Sequence, residues 1–404
     1  MTAAVVTGLG VAAPNGLGVE KYWTATLAGT SGIRPVRRFD ASGYAARLAG
    51  EIDGFAPEEH LSSRMIPQTD RMTQLALAAS DWALADAGVE PGSYATDEMG
   101  VSTAAGAGGF EYGQRELTAL WHEGPEHVSV YMSFAWFYAV NSGQISIRHG
   151  MRGPSGVFVG DQAGGLDALA QARRSVRRGV PLVLSGGMES ALSPYGWVAR
   201  LAGGGVSESH DPARAYRPFE ADASGHVPGE GGAILVVEDA ARARARGARV
   251  YGEVAGYATT FDAAPRHGGA PGLRRAVEAA LADAATDPSD IGVVFADGSG
   301  SVAADRAEAE AIAAVFGPGG VPVTVPKALT GRMNSGAAPV DTACALLSLR
   351  DGLIPPTAGV RAVAPDYEID LVTGTPRSWY PGAALVLARG AGGFNAAVVL
   401  RRIA

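Results

Sequence analysis

One cysteine occurs in the 404 residues, Cys344. A single thiol excludes an internal disulfide and any cysteine-rich metal site. It sits in the apolar helical pattern DTACALLSLRDG, which suits a small buried side chain rather than a nucleophile. Histidine is scarce as well, with seven residues and no ligand spacing among them, so no metal centre is expected. Charged residues are only 18% and their balance is acidic, net −8, which argues against nucleic acid as a partner. Two arginine runs, RRSVRR (Arg173 to Arg178) and RARARGAR (Arg242 to Arg249), stand against that balance. They read as solvated helix ends, with a docking patch for an acidic carrier protein as the sharper alternative. No apolar run approaches the length of a membrane span, and MTAAVVTGLGVAAPNGLG at the start has no basic leader. A soluble, cytoplasmic protein is expected.

What is abundant is apolar and small. Hydrophobic residues make up 47% of the chain and glycine contributes 56 positions. Strand and helix patterns interleave from end to end. AAVVTGLGVAA, VPLVLSGGMES and GGAILVVED are continuous Val/Ile/Leu runs, which predicts strands covered on both faces. DRMTQLALAASDWALADAG predicts a helix capped by Asp70 and stopped by Gly88. The pattern implies layered α/β architecture. DQAGGLDALAQARRSVRRG and NSGAAPVDTACALLSLRDG echo one another as small-residue helices that end in a charged turn and glycine. That echo suggests a duplication, with halves 1–250 and 251–404 and no flexible linker between them.

The stretch VFVGDQAGGLDALAQARR reads as strand, tight turn and helix, the local shape on which a nucleophile is mounted. The helix N-terminus supplies positive potential there, and a cysteine would be a good acyl acceptor. The residue at the turn is Gln162, whose amide can only donate and accept hydrogen bonds. Asp297 follows a strand in VVFADGSGS, and Lys327 and Arg332 lie in VPKALTGRMNSG.

Together with YRPFEADASGHVPGEGGAILVVED, GIRPVRRFD and GGFN, these stretches make the whole chain resemble the β-ketoacyl synthases of the thiolase fold. The resemblance implies two duplicated α/β halves in a five-layered α-β-α-β-α arrangement. In that family a Cys turn, two His turns and a Lys form the active site. Carried over, the Cys position holds Gln162, the two His positions hold Asp297 and Arg332, and Lys327 is retained. The chain most closely resembles the chain length factors, or ketosynthase β subunits, of bacterial aromatic type II polyketide synthases. That implies a subunit inactive by itself, without metal or organic cofactor. It would pair with a ketosynthase α subunit, receive malonyl units from an acyl carrier protein, and share a tunnel in which the polyketide intermediate grows. Lys327 is then expected to be structural, pairing with a nearby acid. The alternative is a malonyl-carrier decarboxylase acting through Gln162, in which Arg332 would stabilise the developing anion and Asp297 would oppose it. A purely structural partner, with no influence on the product, is a third reading.

The same resemblance places tunnel-gating side chains on the helix pattern GAGGFEYGQRELTALWHEG, where Phe110, Gly113 and Leu117 share a face. Gly113 in mid-helix costs about 1 kcal/mol against Ala, so either space or close packing is wanted there. With Leu117 it hints at a roomy tunnel. Trp197 is a further candidate wall residue, with core packing as the other reading. Aromatics are only 7% of the chain yet crowd into SVYMSFAWFYAVNSGQ. Tyr131, Met132, Phe134, Trp136 and Phe137 there are expected at the partner interface, with a buried core helix as the alternative. His226, where the family usually has an aromatic residue, is expected to pack in its loop without a catalytic role.

Overall fold

The computed structural model describes residues 2–262, 272–379 and 382–403. Ten principal strands form it: β1 (Ala4–Ala13), β2 (Met99–Ala104), β3 (Ser155–Phe158), β4 (Leu182–Glu189), β5 (Gly231–Asp239), β6 (Gly252–Phe261), β7 (Ile291–Phe295), β8 (Pro322–Thr324), β9 (Ala383–Gly390) and β10 (Phe394–Arg401). The first five lie in the order β1-β5-β4-β2-β3, and the second five in the order β6-β10-β9-β7-β8. The directions match as well. In each set the first two pairings are antiparallel and the last two parallel. One topology is therefore written twice, which is the duplication that the sequence echo suggested. The two copies join where β1 and β6 pair antiparallel, Val5 opposite Glu253.

The helices packed around and between these strands include α1 (Arg71–Ala87), α2 (Phe110–His122), α3 (Met132–Ala135), α4 (Val140–His149), α5 (Ala163–Arg177), α6 (Pro194–Ala202), α7 (Gly272–Ala284), α8 (Val302–Phe316) and α9 (Ala337–Asp351). α1 opens on the Asp70 cap and closes on Gly88 in the left-handed conformation, as expected. α5 and α9 are the two echo helices, and both are buried between the sheets; every residue from Ala337 to Leu349 is inside. Small residues permit this. A Cβ on Gly165 would stand 2.4 Å from Pro339 Cδ, so the two helices pass closer than side chains would allow.

Strand alternation sorts the core into layers. Leu235 and Val237 of β5 face α5 and α9, while Ile234 and Val236 face α1. Ala384 and Val386 of β9 face the same central helices, while Leu385 and Leu387 face α7 and α8. The result is five layers: α1 with α4, a sheet, α5 with α9, a sheet, α7 with α8. The continuous apolar runs arise because each strand has an apolar partner on both faces. Cys344 lies in the central helix layer, wholly buried, and burial pushes its thiol well above the ordinary range.

One expectation changes. SVYMSFAWFYAVNSGQ is not one helix but α3, a turn at Trp136–Tyr138, and α4. Among the described residues, four of the eight arginines in the two runs form ion pairs within the chain: Arg173 with Asp283, Arg242 with Glu98, Arg246 with Glu238 and Arg249 with Asp86.

Candidate functional site

The turn after β3 has the shape expected of a nucleophile mount. Asp161 takes the left-handed conformation, φ 50°, and Gln162 follows as the first residue of the helical turn. Its counterpart in the second half, Asn334, has φ 45° just ahead of α9. Asp161 is held by Ala391 N–H, 2.9 Å from Oδ2, and by Ser335 Oγ, 3.0 Å from its carbonyl oxygen. The side chain at the turn is thus aimed by two other segments of the fold.

What it meets is Arg332. With its oxygen turned to the guanidinium, the Gln162 amide accepts from Nε and Nη2; the opposite orientation would set donor on donor. The same guanidinium grips Asp297 end-on, Nη1 to Oδ2 at 2.9 Å and Nη2 to Oδ1 at 3.3 Å. Nη2 also reaches the Arg389 carbonyl oxygen at 3.3 Å. Arg389 N–H donates to Asp297 Oδ1 at 3.1 Å. Gln162, Asp297 and Arg332 are all buried. Gln162, Asp297 and Arg332 therefore form one closed group.

Its electrostatics balance. Burial alone would raise the Asp297 carboxyl, but Arg332 and then Lys327 outweigh it and hold the group below the usual carboxylate range. Arg332 suffers the same burial and is raised by Asp297, so it stays charged. Lys327 donates to the Ala296 carbonyl oxygen at 2.6 Å and stands 2.7 Å from Asp341 Oδ2, the acidic neighbour expected for it. The Asp297 turn is pinned from behind. Glu308 accepts from Asp297 N–H at 2.7 Å and Gly298 N–H at 2.8 Å, and burial followed by the Asp297 charge pushes it up to about 7.

A cleft of about 640 Å³ opens onto this group, lined among others by Phe110, Gln162, Arg200, His226, Arg332 and Phe394. His226 sits edge-on to Tyr216, ring centroids 6.5 Å apart. Burial, then Arg332 and Arg200, pull it down to about 3, so it is neutral and a poor base. Among the described residues no cluster of three or more His, Cys, Asp or Glu side chains is placed to hold a metal ion, and no helix is long and apolar enough to cross a membrane.

The gate candidates separate. Phe110 lines the cleft and lies against Tyr195, ring centroids 5.0 Å apart. Gly113 is buried, and a Cβ there would stand 3.7 Å from Trp136 Cβ and 3.9 Å from Met132 Cε. Leu117 is 39% exposed. Trp197 is wholly buried, packs on Phe39 and donates to the Ala46 carbonyl oxygen at 3.2 Å, the core packing that is its other reading. Of the interface candidates, Trp136 and Phe137 are exposed, while Tyr131, Met132 and Phe134 are half-buried around α3.

One cleft residue and one buried acid behind the cleft-lining Gly106 and Ala107 had no signal in the sequence. Arg200 lies one turn before the end of α6, where it reads as a solvated charge, yet its Nη1 donates to Asn334 Oδ1 at 2.9 Å. Glu189 ends β4 and is fully buried, accepting from Gly106 and Ala107 N–H, and burial pushes it up to about 7. Only the approach of distant segments brings Arg200 to the cleft and sets Glu189 behind the Gly106–Ala107 backbone that lines it.

Known proteins place this geometry. Residues 1–243 match the β-ketoacyl synthase N-terminal domain and residues 251–361 its C-terminal domain. The chain is 58% identical over 400 residues, 98% of each sequence, to the tetracenomycin polyketide synthase ketoacyl synthase β subunit of Streptomyces glaucescens. Among solved structures it superposes over its full length on the ishigamide ketosynthase/chain length factor, TM-score 0.92 at 28% identity, covering all of that chain. It also superposes on a type II polyketide synthase ketosynthase solved with its acyl carrier protein and bound to a hexaketide, TM-score 0.89 at 26% identity, with both chains fully covered. The chain belongs to the β-ketoacyl synthase family, and within it to the ketosynthase β subunits of type II polyketide synthases.

Proposed function

We propose that this chain is the non-catalytic, chain-length-determining subunit of a heterodimeric type II polyketide synthase, with the division of its two halves near residue 250. The single observation that carries this is the closed Gln162–Arg332–Asp297 group. A nucleophile, a base and an oxyanion donor are all missing, and their places are filled by side chains that satisfy one another. The partner ketosynthase would perform acyl transfer and decarboxylative condensation on units brought by an acyl carrier protein. This chain would shape the tunnel at their interface.

The outer surface supports a partner. β3 ends the strand order, so its free edge is open for pairing. Val159 follows β3 directly and Ile147 lies on α4, which packs against it; Val130, Trp136, Phe137 and Tyr138, just ahead of α4 in the chain, are exposed apolar side chains as well. A patch of this kind on a chain with few aromatics suits an interface. The decarboxylase reading loses support from the same group that carries the first. Arg332 is committed to Asp297 and Gln162, so its donors are not free for a developing enolate.

The test uses the complex reconstituted with its ketosynthase and carrier protein, comparing wild type with Gly113→Phe and Leu117→Trp. Leu117 is exposed, so its enlargement disturbs no core. Shorter products at similar total turnover, read by mass spectrometry, are expected. Unchanged lengths from both variants in an intact complex would remove α2 as the ruler.

A further inference from the structure

Helix α2 begins without a cap of its own. Its N-cap residue is Gly109, and no side chain fits there: a Cβ would stand 2.3 Å from the Ala135 carbonyl oxygen and 2.9 Å from Asp70 Cβ. First-turn N–H groups of a helix still need acceptors. The Tyr112 N–H finds one in Asp70 Oδ2 at 2.9 Å, although the two residues are 42 positions apart. Asp70 is at the same time the N-cap of α1, where Oδ1 accepts from Met72 N–H at 2.8 Å. One buried carboxylate thus caps two helices, at a point where both present their positive ends.

We propose that Asp70 is a positioning residue for the gate, the shared cap that sets where Phe110, Gly113 and Leu117 stand relative to α1 and the cleft. This rests on the reading of α2 as the ruler. The placement carries further along the chain of contacts. Gln114 Oε1 accepts from Tyr195 N–H at 2.7 Å in the first turn of α6, and the Phe110 ring lies on Tyr195. α6 in turn carries Arg200 into the cleft. Other bonds hold the middle of α2 independently of Asp70: Tyr112 Oη donates to the Pro67 carbonyl oxygen at 3.2 Å, and Glu116 Oε2 accepts from Ser129 N–H at 2.7 Å. Loss of the shared cap therefore loosens the first turn without freeing the helix.

The test is carried out on the heterodimer with its carrier protein. Asp70→Ser keeps a hydroxyl cap for α1 but is too short to serve Tyr112 N–H as well. Asp70→Asn, isosteric, offers one acceptor oxygen for two N–H groups. Amide exchange at Tyr112 is expected to quicken roughly tenfold, the worth of one buried hydrogen bond, while residues 71–77 stay protected. Product lengths are expected to spread at similar total turnover. Unchanged exchange at Tyr112 in both variants overturns the shared cap. Faster exchange with lengths as sharp as wild type, where Leu117→Trp does shift them, overturns the positioning role and spares the ruler. Leu117→Trp and Gly113→Phe both without effect would sink the ruler reading and this inference with it.

Discussion

Arg332 is the residue on which the degenerate site turns. It neutralises the buried Asp297 carboxylate and donates to the Gln162 amide. Breaking such a buried pair is costly because it strands a charge. Asp297→Ala is therefore expected to destabilise the chain by about 3–5 kcal/mol, measured by chemical denaturation of the complex. Replacing both at once, Asp297→Leu with Arg332→Met, is expected to cost far less, since neither charge is then left alone. Gln162→Cys should produce a reactive thiol, because the helix N-terminus and Arg332 both favour the thiolate. Its alkylation by iodoacetamide near neutral pH checks this. No condensation is expected from it when the partner's nucleophile is removed, since no histidine stands ready to handle protons; product under those conditions would refute the reading.

Among the elements, α2 carries the most. Gly113 sits at the start of its second turn with methyl-sized clearance to Trp136 and Met132. Gly113→Ala should therefore be tolerated and raise the melting temperature, since a mid-helix Ala is worth up to about 1 kcal/mol over Gly. A lowered melting temperature would mean that α2 and the Met132–Trp136 segment pack more tightly than these contacts show. The existence of α2 was legible in the sequence, as was the shared face of Phe110, Gly113 and Leu117. The break between α3 and α4 was not. Trp136, Phe137 and Tyr138 fit a helical pattern locally, and only the Gly108–Gly109 approach, with Gly109 N–H donating to the Trp136 carbonyl oxygen at 3.0 Å, bends the chain there.

For the whole molecule, buried carboxyls set the response to pH. Burial pushes Asp70, Glu189 and Glu308 up to about 7, and Asp305 and Asp341 to about 6. A raised carboxyl binds its proton more tightly in the folded state, so its contribution to stability falls as pH rises from the ordinary carboxylate range towards 7. Asp297 and Glu230 are shifted down instead, each by its arginine working against burial. Their stabilisation is present above the ordinary carboxylate value and is lost only as pH falls below it. Together these place the stability optimum on the mildly acidic side. Thermal melts of the complex are expected to show a higher midpoint near pH 5.5 than at pH 8. A midpoint that does not fall between pH 5.5 and pH 8 would show that these carboxyls are not raised in the folded state.

The sequence by itself determined the layered α/β class, the duplicated halves, the capped α1 and the missing nucleophile. Each of these is written in local pattern or in the identity of a single residue. It also separated Asp297 and Arg332 from the family's histidines. That these two bond to each other and to Gln162 was decided only by tertiary structure, because the three lie on turns brought together from both halves of the fold. Tertiary structure also decided the roles of Trp197, Arg200 and Glu189. Burial and partners are properties of assembled neighbours, and no local pattern distinguishes a buried tryptophan from a tunnel wall, or a solvated arginine from one that lines a cleft.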